Sequence, residues 1–146
     1  GPGHGITGLT VTGNVFRAVG GSINRVERVD TTFADLDYGR TRDITFDGNT
    51  YHNVVYRAAC PLRLSHTQNT EAAAWTLDTE GRLPFRGRAR EIVALVPTDR
   101  IRNAAGVSVP EMPHADLEIG PARDQLRLNW SQPVRGRVSV TVRMDS

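Results

Sequence analysis

The sequence predicts an all-β chain in which stacked solenoid coils are followed by a small antiparallel sandwich. Two observations carry that prediction. The first is an internal repeat: G-L-T-V-T-G-N-V-F-R-A-V at 8–19 aligns with D-I-T-F-D-G-N-T-Y-H-N-V at 43–54, an offset of 35 residues. The second is a series of short alternating apolar stretches after residue 70, separated by Gly, Pro and Asn turns and showing little helical periodicity.

Gly1-Pro2 reads as the remnant of a removed tag, and the chain as an excised fragment. In the repeat, Thr10/Thr45, Gly13/Gly48, Asn14/Asn49 and Val19/Val54 are identical, while Leu9/Ile44, Val11/Phe46 and Phe16/Tyr51 keep apolar or aromatic character. Period-two alternation puts Leu9 and Val11, like Ile44 and Phe46, on one face of a strand. Gly-Asn then marks a corner, because these residues most easily take left-handed backbone angles. A strand, a corner and a second strand led by an aromatic make one coil of a solenoid, which buries its inward side chains only by stacking on a neighbour. The segment between the copies is a loop excursion or an irregular strand. The alternative arrangement for 1–66 is a two-copy hairpin sandwich.

The pattern I-x-F-x-G-N-x-F/Y-x-x-V resembles a right-handed parallel β-helix. It is similar to coils of the pectate-lyase superfamily, which includes glycoside hydrolase family 28-related proteins and bacteriophage tailspikes. The resemblance covers about residues 5–60. It implies terminal β-helix coils over 1–66 and an antiparallel β-sandwich cap over 67–146. It further implies a polysaccharide partner, a homotrimer, and an extracellular or virion-surface setting. No residue matches a family catalytic motif, so no catalytic role is carried over.

After Cys60-Pro61, T-Q-N-T at 67–70 reads as a polar linker, and Thr70 to Ala74 as a very short helical start. Ala74 to Leu77, Ile92 to Val96, His114 to Ile119, Gln125 to Trp130 and Arg137 to Met144 read as strands. Asn103 to Gly106 reads as a hairpin loop. Ile92, Leu95, Val138, Val140 and Val142 are the candidates for subunit contact, with burial in the chain's own core as the alternative.

The chain of 146 residues is long enough to bury a core without disulfides or a structural metal. No run approaches the ~18 apolar residues of a membrane span, so no membrane insertion is expected. All 18 cations are Arg and none is Lys, against 16 acidic residues. That reads as coding bias, not a nucleic-acid footprint, since no aromatic-basic platform accompanies it. The single Cys60 reads as a small core residue. His4, His52, His66 and His114 lack metal-ligand spacing, and no nucleotide fingerprint occurs, so neither metal nor cofactor is expected.

Asp35, Asp37, Asp43 and Asp47 form the dense acidic group. In a strand, Asp35 and Asp37 would share a face about 7 Å apart, a spacing usable by a glycosidase or a cation. Of this group, Asp35, Asp37 and Asp47 are the candidate catalytic residues. The competing reading is a solvated loop balanced by Arg40 and Arg42. Tyr38, Tyr51 and Trp130 are the candidate sugar-stacking residues; Trp75 and Tyr56 also qualify by residue type. Three functions stay open: a non-catalytic capping and oligomerisation module, part of a polysaccharide lyase or glycoside hydrolase, and a free-standing carbohydrate-binding sandwich.

Overall fold

The computed structural model describes residues 5–28 and 37–145, apart from the Tyr38 side chain. The fold is all-β. Four short strands come first: β1 (Thr10–Thr12), β2 (Val15–Arg17), β3 (Thr45–Asp47) and β4 (Thr50–His52). Five more follow: β5 (Leu62–Asp78), β6 (Glu91–Pro97), β7 (Arg102–Asn103), β8 (His114–Ile119) and β9 (Gln125–Arg143).

The repeat is read out as stacking. β1 pairs with β3 and β2 with β4, both parallel, and the partners are the repeat-equivalent residues: Thr10 with Thr45, Val11 with Phe46, Phe16 with Tyr51. Two rungs therefore lie one above the other. Gly13 and Gly48 turn each corner at φ 69° and 66°, where a side chain would be strained. Asn49 bridges the rungs: its Nδ2 donates to the Val11 carbonyl at 3.0 Å, and its Oδ1 accepts from the Asn14 backbone N–H at 2.9 Å. The Phe16 and Tyr51 rings stack at 5.5 Å. Asn49→Ala strands both rung-one groups at a partly wet site, so a loss of about 1 kcal/mol is expected in a urea melt. Asn14→Ala, whose side chain bridges to no other backbone in the stack, should lose less.

The remaining strands form one five-stranded antiparallel sheet, in place of the expected two facing sheets. β9 is its spine. β5 runs along one side of it, and β8, β7 and β6 lie in turn along the other. The reason is visible in β9: Leu126, Leu128, Trp130, Val134, Val138, Val140 and Val142 all fall on even positions and all are buried. Alternation never changes phase, so the stretches predicted at 125–130 and 137–144 are one strand with one inner face. A double irregularity bends it mid-way. β5 carries extra residues between Gln68 and Ala72, and β9 carries extra residues between Asn129 and Val134, around Pro133, which has no N–H to leave unpaired.

Residues 67–70 lie inside β5 and not in a linker, and Thr70 to Ala74 is strand and not helix. Their polar side chains are exposed or half-buried, so composition misled where pairing with β9 decided. The hairpin at Asn103 to Gly106 is present, with Gly106 at φ 77°.

Rungs and sheet share one apolar core. Ile44 and Phe46 of rung two join Cys60, Leu62, Val142 and Met144 in it. Phe46 and Cys60 exchange backbone hydrogen bonds of 2.9 and 3.0 Å, and the Arg143 Nη2 donates to Thr45 Oγ1 at 3.1 Å. The edge of rung two is thus closed by the chain that enters β5.

Candidate functional site

The two rungs are chemically equivalent in sequence but not in surroundings. Val54 of rung two is 5% exposed, whereas its repeat partner Val19 is 90% exposed. Ile44 and Phe46 are buried; Leu9 and Val11 are only half-buried. β1 and β2 pair on one side only, so among the described residues their outer edges carry unpaired backbone groups. Such an edge is a template for another strand.

The segment leaving rung one is anchored to the connection between β5 and β6 by a buried ion pair. Arg25 Nη1 lies 3.2 Å from Glu27 Oε2, with side-chain exposures of 9% and 1%. Arg25 Nη2 donates to the Gly81 carbonyl at 2.6 Å, and its guanidinium lies over the Tyr56 ring at 4.8 Å. Glu27 Oε2 also accepts from the Phe85 N–H at 3.1 Å. Burial pushes the Glu27 carboxyl above its usual value, against the opposing pull of backbone N–H groups and Arg25. Among the described residues, Glu27 Oε1 and Arg25 Nε have no hydrogen-bond partner.

Beside this anchor a cleft of about 710 Å³ opens between the rungs and the sheet. Tyr56, Arg82 and Arg86 form one wall; Asp78, Asp124 and Gln125 form another. Burial, and then the charge of Asp78, push the Asp124 carboxyl up. Two carboxyl groups with an aromatic face nearby can hydrogen-bond sugar hydroxyls and hold a proton on one of them. Sequence reasoning missed Asp78 and Asp124 because 46 residues separate them and only the pairing of Asp78 with Gln125 across β5 and β9 brings them close.

The acidic candidates lie elsewhere. Asp35 falls outside the described residues, as does the side chain of Tyr38. Asp37 serves a turn: its Oδ1 accepts from the Gly39 N–H at 2.8 Å, and its carbonyl accepts from the Arg40 N–H and the Thr41 hydroxyl. Asp47 is exposed at the rung-two corner, where its Oδ1 accepts from the Gly48 N–H at 3.0 Å. Asp43 turns the chain at φ 55°.

Among the aromatic candidates, Tyr51 is half-buried, stacked on Phe16 and donating its hydroxyl to the Ala58 carbonyl at 2.7 Å. Trp130 sits in the core against Trp75, ring centres 4.8 Å apart. Val138, Val140 and Val142 are fully buried in the chain's own core, which takes them away from any partner surface. Ile92 and Leu95 on β6 are half-buried, while Val93 and Val96 of the same strand are exposed. Cys60 is buried, and burial pushes its thiol up. Among the described residues no three His, Cys, Asp or Glu side chains converge as metal ligands, and no helix is long and apolar enough to cross a membrane.

No protein-family model, no curated protein and no solved structure matches the chain.

Proposed function

We propose that this chain is a closing module of a longer β-solenoid: its sheet caps the lower rung, and its upper rung receives a further coil. The observation that carries the reading is the contrast at stacked positions of the repeat, where Val11 is half-buried and its partner Phe46 is buried. A solenoid coil buries its inward side chains against the next, so a half-buried Leu9 and Val11 above a buried Ile44 and Phe46 match a stack continued on one side and closed on the other. Asn14 agrees with this. Asn49 reaches a backbone carbonyl of the rung above it, while Asn14 Nδ2 donates to its own Thr12 carbonyl at 3.1 Å and down to Asn49 Oδ1 at 3.4 Å.

In this reading the parent is a tailspike-like protein of the pectate-lyase superfamily, set on an extracellular or virion surface and recognising polysaccharide. The module itself is non-catalytic. With Val138, Val140 and Val142 used internally, the exposed Val93 and Val96 of edge strand β6 offer apolar surface for trimer contact.

The test is to append one more copy of the 35-residue repeat ahead of β1 and follow amide hydrogen exchange. Closing-module behaviour means that the outward amides of β1 and β2 gain protection and that the melting temperature rises. Unchanged exchange in β1 and β2, with the added copy unprotected, would remove the reading. Light scattering on the same protein tests the trimer: about three times the monomer mass supports it, and a monomer excludes it.

A further inference from the structure

On the wet face of the sheet, well away from the core, four arginines surround one groove of about 430 Å³. Arg102 of β7 stands directly opposite Arg135 of β9, so their side chains share a face. Arg137 follows two residues on, on that same face, and Arg100 enters from the loop before β7. Like charges placed opposite one another across strands are destabilising unless something neutralises them. Inside the chain the neutralisation is incomplete. Arg135 is paired with Glu71, but among the described residues Arg100, Arg102 and Arg137 make no ion pair. The one acid lining the groove, Asp99, uses its Oδ1 to accept the Arg100 backbone N–H at 2.7 Å.

The groove is also ordered. Arg137 Nε donates to Thr67 Oγ1 at 3.2 Å, which fixes the guanidinium plane and leaves its outer N–H groups for a ligand. A planar guanidinium fork matches a carboxylate with two parallel hydrogen bonds. Thr67, Gln68 and Asn69 add neutral donors and acceptors of the kind that suit hydroxyl groups. No aromatic side chain lines the groove, so it has no platform for a stacked nucleobase. Positive charge, forked donors and neutral amides together fit a polyhydroxylated anion.

We propose that this groove binds acidic polysaccharide, a sugar polymer bearing carboxylates, through Arg100, Arg102 and Arg137. The proposal rests on the reading that the parent recognises polysaccharide, and it assigns that contact to this chain and to this class of polymer. Sodium polygalacturonate is the probe, with neutral dextran and single-stranded DNA as comparators, titrated calorimetrically against the 146-residue chain. The expected result is binding of polygalacturonate that weakens with added salt, no binding of dextran, and weaker binding of DNA. Arg102→Gln with Arg137→Gln should lower the affinity by about tenfold or more, as loss of charge-assisted hydrogen bonds does. Arg102→Lys with Arg137→Lys should recover only part of it, since lysine keeps charge without the fork. Both arginines are exposed, and an unchanged thermal melt verifies that each variant is folded. Failure to bind polygalacturonate, undiminished binding by the glutamine variant, or DNA bound equally well each overturns the proposal. None of these outcomes touches the closing-module reading, which hydrogen exchange in β1 and β2 decides separately.

Discussion

Trp75→Ala is expected to remove about 3–5 kcal/mol of stability, a large share of the roughly 5–15 kcal/mol that holds a domain together. Trp75 is fully buried and stands beside the bend, next to the irregular stretches of β5 and β9. Its ring packs on Trp130 and lies 5.7 Å from the His66 ring. Its Nε1–H is shared between the Ala72 carbonyl at 3.0 Å and the Val134 carbonyl at 3.2 Å, one on each strand of the bend. The side chain therefore fills the bend and also pins it. Phenylalanine separates these roles. Trp75→Phe keeps most of the ring but leaves both carbonyls without that donor, so a loss of about 1–3 kcal/mol is expected. Trp130 is the control: its Nε1 is buried with no partner among the described residues, so Trp130→Phe should cost less than Trp75→Phe. Urea melts followed by circular dichroism measure all three. Equal losses for the two phenylalanine variants would show that the Nε1 bonds do not hold the bend.

How far the sequence reports the fold depends on the range over which each signal acts. The rungs are legible because the strand equivalences of the repeat, from Thr10/Thr45 to Phe16/Tyr51, are also physical pairs in the stack, although Val54 meets Ile23 and not its sequence equivalent Val19. Asn49 was visible as a corner residue, but its bridge to Val11 and Asn14 needs the stack itself. Strand β6 is legible as a continuous apolar run and β8 by alternation. Thr67 to Ala74 is not, because polar and small residues there occupy strand positions dictated by β9 across the sheet and not by local preference. Nor was the single-sheet topology, since Ser131, Gln132 and Pro133 imitate a turn while the inward phase of β9 runs through them. The candidate sites were the least legible part. Asp37 and Asp47 attract notice by proximity in sequence, yet each caps a backbone turn. The groove arginines lie in β7, β9 and a loop, and like the Asp78 and Asp124 wall they meet only through antiparallel register.

Arg25→Ala is expected to cost about 3–5 kcal/mol at neutral pH, the usual consequence of leaving one member of a buried ion pair alone, and clearly less near pH 4. The pH dependence follows from Glu27. Its carboxyl is raised in the folded chain, chiefly by burial, so the fold favours the protonated form. The stability from this preference is fully present below the unfolded value of 4.5 and is lost as pH rises through the folded pKa. Arg25 opposes that loss, because its charge 3.2 Å away favours the ionised carboxylate. Without Arg25 the folded pKa climbs further and the loss on ionisation deepens. Below pH 4.5 Glu27 is neutral in folded and unfolded chains alike, and the variant then lacks only the Gly81 bond and the contact with Tyr56. The gap between wild type and variant should therefore widen steadily from pH 4 to pH 7 in denaturant melts. Arg25→Met with Glu27→Leu, which replaces the pair by apolar side chains, should recover much of the stability and flatten the profile. A gap that stays constant across this range would mean that Arg25 acts through packing and the Gly81 carbonyl alone. The pair also has a place in the assembly, since it fastens the chain leaving rung one to Phe85 and Gly81 of the connection between β5 and β6. Loss of Arg25 should accordingly speed hydrogen exchange in β1 and β2 before it does so in β9, loosening the rung stack from the sheet that caps it.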